Sequence, residues 1–584
     1  MSTQQLVLSA EQFAALAAGY GDAGAMVVLN GGQLAKRKLL IKMIVDATAT
    51  TRHAPAVRSA VELIARAEEV DPVATGTVLA HPHLDAWAKR CLYRLTDPVE
   101  VQDAPGADGR TLGDDLGHLA GFAVAAALGT GLDFDVTLPT VAGVACVPGV
   151  AIASGLGAGT ARAVGTGSSA RFVGAGGTVV DRDGPGWQPR RTVELGPGHA
   201  VAIEDQDPYR HCYQWSPLSS LTDAQATGFA KLLTDAWQLI AAEHPAHAVA
   251  IRQAVRSVVP LAAPDSGMTI SASSRHASGS IATSIPDTAA ELALLLLHEH
   301  MHAKLGMLLD IRDLHTDRPQ GRYHAPWRLD PRPVDALLQG VYAHTGVTDY
   351  WRKQRHSAEA DRRRADAQYV YWRTMTGLAA RALAGCGELT PSGEQFIVML
   401  RNTLESWDRE SAPADIESEV GLFVLAQTVR WRLANWQARD AETHSLADAV
   451  RTGGSPGEVA VDGMLVADGP TGPADAPGVL RHFHRWLGIG NPPTTTVDGS
   501  TDPAAVALVT GDPHGAARGF IQRLDRDAAD DDAWIGLAVS LTVTSGSSER
   551  LLVNRPDLCR AAVIKLESEI AQAASAFIRW GELG

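Results

Sequence analysis

Cysteine is scarce in this chain: five residues in 584, Cys91, Cys146, Cys212, Cys386 and Cys559, widely scattered and in no CxxC or Cys/His ribbon spacing. That excludes a structural zinc finger and favours a reducing compartment. Excess positive charge is also missing, since the net charge is −15, which disfavours electrostatic binding to nucleic acid or to an anionic membrane surface. No apolar run approaches the ~20 residues that span a membrane. The N-terminus, Met1-Ser-Thr-Gln-Gln-Leu, has no basic start, apolar core or small-residue cleavage site, so the expected location is the cytoplasm and a secreted digestive role is disfavoured. Aromatics are only 5% of the chain and charged residues 20%, against 45% hydrophobic, the balance of an ordinary soluble protein with room for several cores.

The pattern predicts an α+β protein, predominantly helical. Residues 1–134 read as a helical region, in which Ser9 caps a helix beginning Ala10-Glu-Gln-Phe. Residues 135–215 contain a β-rich segment, about 135–204, of short Val, Ala and Thr runs broken by glycine. The clusters Gly155–Gly159 and Gly174–Gly177 lack the phosphate-loop pattern and read as hairpin turns. Helical periodicity returns over 216–450, interrupted by an alternating strand at Met268–Arg275. Residues 451–480 are rich in Gly, Pro and Asp and read as a linker or loop. Residues 481–584 read as a C-terminal helical region of tetratricopeptide style, with small residues where helices cross.

The chemistry concentrates in Leu294-Leu-Leu-Leu-His298-Glu299-His300-Met301-His302. On a helix of ~3.6 residues per turn, His298, Glu299 and His302 span about 100° of arc while His300 points to the far side. Two imidazoles then grip one ion with a carboxylate beside it, the HExxH arrangement. The apolar run before His298 places the helix in a core, where unpartnered histidines and a glutamate would cost several kcal/mol.

The residues downstream of His302 constrain the third ligand. A metzincin needs glycine at position 305 and histidine at 308, where Leu305 and Leu308 stand, and no glutamate occurs between Glu299 and Glu359. Asp310 lies about 12 Å along the axis from His302, too far to share an ion on an unbroken helix. A second helix starting near Pro333 carries His344 after an apolar stretch; His344 is the expected third ligand, with Asp335 as rival and a hydrogen-bonded core histidine as the plain alternative. Between the helices, Arg322, Arg328 and Arg332 alternate with Tyr323 and Trp327. Guanidinium forks suit an anionic co-substrate or a peptide carboxylate, and the aromatics suit peptide contact; the structural alternative pairs the arginines with Asp330 and Asp335.

At these residues the chain resembles a known family, the HExxH-type iron(II)- and 2-oxoglutarate-dependent peptide β-hydroxylases of ribosomal peptide natural-product maturation. The matching blocks are Leu8–Phe13, Gly19–Asp22, Gly32–Arg37, Glu204-Asp-Gln-Asp-Pro-Tyr-Arg, Ser271–Arg275, His298-Glu-His-Met-His-Ala-Lys-Leu, Arg322–Pro333 and Leu338–His344, with Asp-Pro-His and Asp-Ala-Trp-Ile-Gly-Leu elements near the C-terminus. The resemblance spans nearly the whole chain. It implies hydroxylation of an unactivated β-carbon in a precursor peptide, with Fe(II) on His298 and His302, 2-oxoglutarate as co-substrate, O2 as oxidant, and succinate and carbon dioxide as by-products. An arginine would hold the distal carboxylate of 2-oxoglutarate, Arg332 first, Arg322 and Arg328 beside it, and Arg275 in reserve. A radical SAM peptide-modifying enzyme is an expected partner in the same pathway.

Glu299 is the candidate catalytic carboxylate. In a zinc peptidase it would be the general base, whereas a hydroxylase needs it only to orient a ligand, bind the metal or position substrate. Two alternatives therefore stand beside the oxygenase: a zinc peptidase that trims a peptide, and a non-catalytic leader-peptide-binding scaffold.

Overall fold

The computed structural model describes residues 7–98, 104–264, 268–357, 361–454, 459–460, 462–466, 502–545 and 551–566, with Leu480 and Ala573 as single positions. The architecture is mixed α and β with helix dominant, 57% helical and 14% strand. Among the described residues no helix is long and apolar enough to cross a membrane. The chain divides into two compact units, 1–313 and 314–584, and the break falls inside the 216–450 stretch. Much of the expected 451–480 linker, and of the C-terminal region before Asp502, lies outside the described residues.

The first unit opens with α1 (Ala10–Ala17), where Ser9 and Gln12 form a reciprocal capping box, and α2 (Ala23–Thr48), capped by Asp22. Helices α3 (Ala54–Val70), α4 (Pro72–Leu79), α5 (Leu84–Leu95) and α6 (Leu112–Thr130) follow. Helix α6 is almost wholly buried and ends on Gly131 at φ 71°, a left-handed cap that favours glycine.

Nine strands come next: β1 (Phe134–Thr140), β2 (Val144–Val147), β3 (Ala151–Ser154), β4 (Gly159–Thr166), β5 (Ser169–Gly174), β6 (Val179–Asp181), β7 (Trp187–Pro189), β8 (Arg191–Gly196) and β9 (His199–Ile203). The first seven build an antiparallel sheet β1-β4-β5-β6 and a smaller one β2-β3-β7. Phe122 of α6, Phe172 of β5 and Trp187 of β7 share one hydrophobic core. Here Gly174 is required by packing: a Cβ would sit 2.0 Å from the Leu156 carbonyl oxygen.

After β9 come α7 (Asp223–Glu243), α8 (Pro245–Ala254), β10 (Ser257–Leu261), β11 (Ser271–Ser273), β12 (Ser280–Ser284) and α9 (Ala289–Leu309). The sheet order is β11-β12-β10-β9-β8, with β10 parallel to both β9 and β12. Strands β10 and β12 lie in the stretch that periodicity reads as helical. Every residue of both is buried, so neither shows the alternation that marks a half-exposed strand. Helix α9 packs on β11 and β12 and against α2, α7 and α8.

The second unit contains α10 (Val334–Gln354), α11 (Arg362–Ala384), α12 (Pro391–Trp407), α13 (Ala414–Asn435), a short β13 (Trp436–Gln437) paired with β14 (Met464–Leu465), and α14 (Asp440–Thr452). Near the C-terminus lie α15 (Pro503–Val509), α16 (Pro513–Leu524), α17 (Asp531–Ser545), α18 (Leu551–Asn554) and α19 (Pro556–Leu566). These terminal helices share a core with α11, α13 and α14. Small residues do sit at the crossings: a Cβ on Gly519 would lie 2.7 Å from Ala504, and one on Gly536 2.2 Å from the Phe520 ring.

Candidate functional site

Helix α9 starts where the Thr288 hydroxyl accepts from the Glu291 amide at 3.2 Å, and Leu292, Ala293, Leu296 and Leu297 bury its core face. That anchoring fixes the rotation of the HExxH residues one turn later. His298 and His302 are half-buried neighbours, with ring centroids 4.8 Å apart and planes at 82°. Burial first, and the His302 imidazole second, push His298 down to about 4, with Glu299 opposing; near neutral pH it is an uncharged ring. Glu299 is buried, and its Oε1 accepts the Ser271 hydroxyl of β11 at 2.7 Å. A strand thus holds the carboxylate in place.

His300 faces the other way and is fully buried, with neither ring nitrogen hydrogen-bonded. Burial, then the Lys304 ammonium and His247, keep it well below the ordinary imidazole range. Lys304 is itself fully buried, its Nζ donating to the carbonyl oxygens of Gly19, at 2.8 Å, and Tyr20 in the turn between α1 and α2. Burial lowers it to about 7. At the end of α9, Asp310 accepts from Gln33 at 3.0 Å, Lys36 at 2.8 Å and Arg275 at 2.8 Å. The blocks around Gly19, Gly32, Ser271 and His298, distant in sequence, therefore meet around one helix. Asp310 is a charge anchor there, and Arg275 is engaged by it.

The remaining sequence candidates belong to the second unit. His344 stacks between Trp327 and Trp372, at centroid distances of 4.2 and 4.4 Å, and its Nδ1 bonds the Gly340 carbonyl at 2.8 Å. That bond places the proton on Nδ1. Asp335, nine residues earlier, is exposed and on the opposite face of α10, about 180° away, so the two rivals do not share a direction. Tyr323 and Arg332 pair through both backbone amides at 2.8 Å. The Tyr323 hydroxyl reaches the Glu388 carboxylate at 3.0 Å. Arg328 and Arg332 both bind Asp330, at 2.7 and 3.0 Å, the structural pairing that is the alternative to co-substrate binding, and Arg322 donates to the Gly321 carbonyl at 3.0 Å. Trp327 is fitted to Gly340, where any Cβ would fall 2.3 Å from its ring.

Sequence reasoning missed a second cluster in the first unit. Among the described residues, two groups of three metal-ligating side chains have their ligand atoms within 4.8 Å of one another: His81, His83 and Asp207, and His118, Cys146 and Asp207. Neither includes His298 or His302. The signal was present as the His81-Pro-His83 spacing and the Glu204–Arg210 block, but nothing in the sequence says that a turn between two helices meets a turn after β9. No protein-family model matches this chain, and no curated protein matches its sequence.

Proposed function

We propose that this chain is a cytoplasmic iron(II)- and 2-oxoglutarate-dependent oxygenase that hydroxylates a β-carbon in a ribosomally made precursor peptide. The observation that carries the reading is the His298/His302 pair on one face of α9, with Glu299 tied to Ser271 beside it. Iron(II), when bound, would activate O2 with 2-oxoglutarate as the electron source. The residues' own part is positional. His298, uncharged near neutral pH, offers an imidazole nitrogen without first losing a proton, and His302 stands beside it on the same face. Glu299, with one oxygen committed to a serine hydroxyl, is suited to orienting a ligand. His344 as third ligand and Arg332 as co-substrate clamp carry over from the sequence reading alone, as does a tetratricopeptide-like terminal unit.

The test is incubation of anaerobically purified protein with iron(II), 2-oxoglutarate, O2 and a precursor peptide encoded nearby, read by mass spectrometry. The expected product is heavier by one oxygen, about 16 Da, and appears only with 2-oxoglutarate. Cleaved peptide, indifferent to 2-oxoglutarate and restored by zinc, would replace this reading with the peptidase and make Glu299 the base. An unaltered peptide that nevertheless binds would favour the scaffold.

A further inference from the structure

His81 and His83 flank Pro82 in the turn between α4 and α5, and Asp207 closes the turn that comes after β9. All three are buried, with relative exposures of 4%, 1% and 3%. Neither ring nitrogen of His81, nor Nδ1 of His83, nor Oδ2 of Asp207 has a hydrogen bond. Glu204, equally buried, stands alongside with its Oε1 accepting from the Asp207 amide at 2.9 Å. The distances between these groups are distinctive. His81 Nε2 lies 3.6 Å from Glu204 Oε2 and 3.8 Å from Asp207 Oδ2, and His83 Nδ1 lies 3.9 Å from Asp207 Oδ1.

A direct hydrogen bond would bring nitrogen and oxygen to about 2.7–3.2 Å, so none of these contacts is one. Ligands held at about 2.0–2.2 Å from a tetrahedral ion stand about 3.4 Å apart, nearer to the 3.6–3.9 Å seen, and the ligand atoms of His81, His83 and Asp207 all lie within 4.8 Å of one another. Asp207 Oδ1 accepts from the Tyr209 amide at 2.7 Å and His83 Nε2 meets the Tyr213 hydroxyl at 3.4 Å, so the atoms left over are both His81 nitrogens, His83 Nδ1 and Asp207 Oδ2, and burying these together is unfavourable unless something between them satisfies their lone pairs.

We infer that His81, His83 and Asp207 bind a divalent first-row transition-metal ion, best matched by zinc, at a site separate from the HExxH helix. Nitrogen and carboxylate donors are the zinc ligand set, and Asp207 supplies negative charge to the ion while Glu204, 3.5 Å from the Arg190 guanidinium, is shared with that cation. The ion would join the α4–α5 turn to the end of the five-stranded sheet, so its role is to hold helices and sheet in register. This inference does not depend on the proposed oxygenase reaction.

The test uses the full chain carrying His298→Ala and His302→Ala, which removes the other metal pair. That protein is expected to retain about one metal ion per chain by elemental analysis, to lose it on adding Asp207→Asn, and to melt at lower temperature after chelation, recovering with zinc. Exchange of the retained ion for cobalt(II) reports the ligands in the folded double variant without further substitution. Visible bands without thiolate charge transfer fit the histidine and aspartate set. Thiolate charge transfer, abolished by Cys146→Ser, would overturn the assignment in favour of His118, Cys146 and Asp207. A double variant that holds no metal, takes up no added zinc and melts identically with and without chelator would overturn the site altogether.

Discussion

Lys304→Met tests whether the buried ammonium beneath the HExxH turn is a pH-dependent element of the first unit. The wild-type lysine is fully buried and donates to the carbonyls of Gly19 and Tyr20. Burial lowers it from 10.5 to about 7, so between those values the unfolded chain binds a proton that the folded chain does not. Stability therefore rises with pH through that window, by up to about 1.4 kcal/mol per pH unit, and is level below it, where both states are protonated. Methionine fills similar volume and removes the titration. The free-energy difference between wild type and variant should move in favour of wild type by about 2–3 kcal/mol between pH 7 and pH 9. Native-state hydrogen exchange of α9 peptides, compared between the two proteins at each pH, reads this locally and separates it from the second unit. A difference that stays constant from pH 6 to pH 9 would refute the reasoning, since it would mean that Lys304 keeps its proton and the two carbonyls carry the charge.

Other expectations rest on the same geometry. His302→Ala should abolish iron binding at the HExxH helix and turnover with it, whereas His300→Leu, at a buried ring with no hydrogen bond, should leave iron content intact and cost less than about 1.5 kcal/mol; equal metal loss in both would refute the facing of α9. Arg332→Met should raise the 2-oxoglutarate concentration needed for half-maximal turnover about tenfold, and an unchanged requirement would move the clamp to another arginine. Gly174→Ala places a methyl 2.0 Å from the Leu156 carbonyl and should destabilise the first unit by about 1–3 kcal/mol or more in denaturant titration, and a neutral result would mean that the strand shifts freely.

Local patterns were legible because local chemistry decides them. Ser9 caps α1 because its hydroxyl reaches an amide three residues on. The spacing of His298, Glu299 and His302 needs only helical geometry to bring two rings within 4.8 Å. The glycine-broken runs from about 135 to 204 form the expected strands because half-exposed strands alternate visibly. Strands β10 and β12 escaped notice for the opposite reason, since burial on both faces erases alternation.

What only the tertiary structure decided is which distant side chains share a space. Ser271 and Glu299, Gly19 and Lys304, Arg275 and Asp310, and above all His81, His83 and Asp207 lie far apart along the chain, and their meeting depends on how sheet and helices stack. Residue types state what a group is able to bind. Packing sets the distances and strips away water, and those two quantities decide whether histidines and carboxylates become a ligand set or remain scattered polar groups.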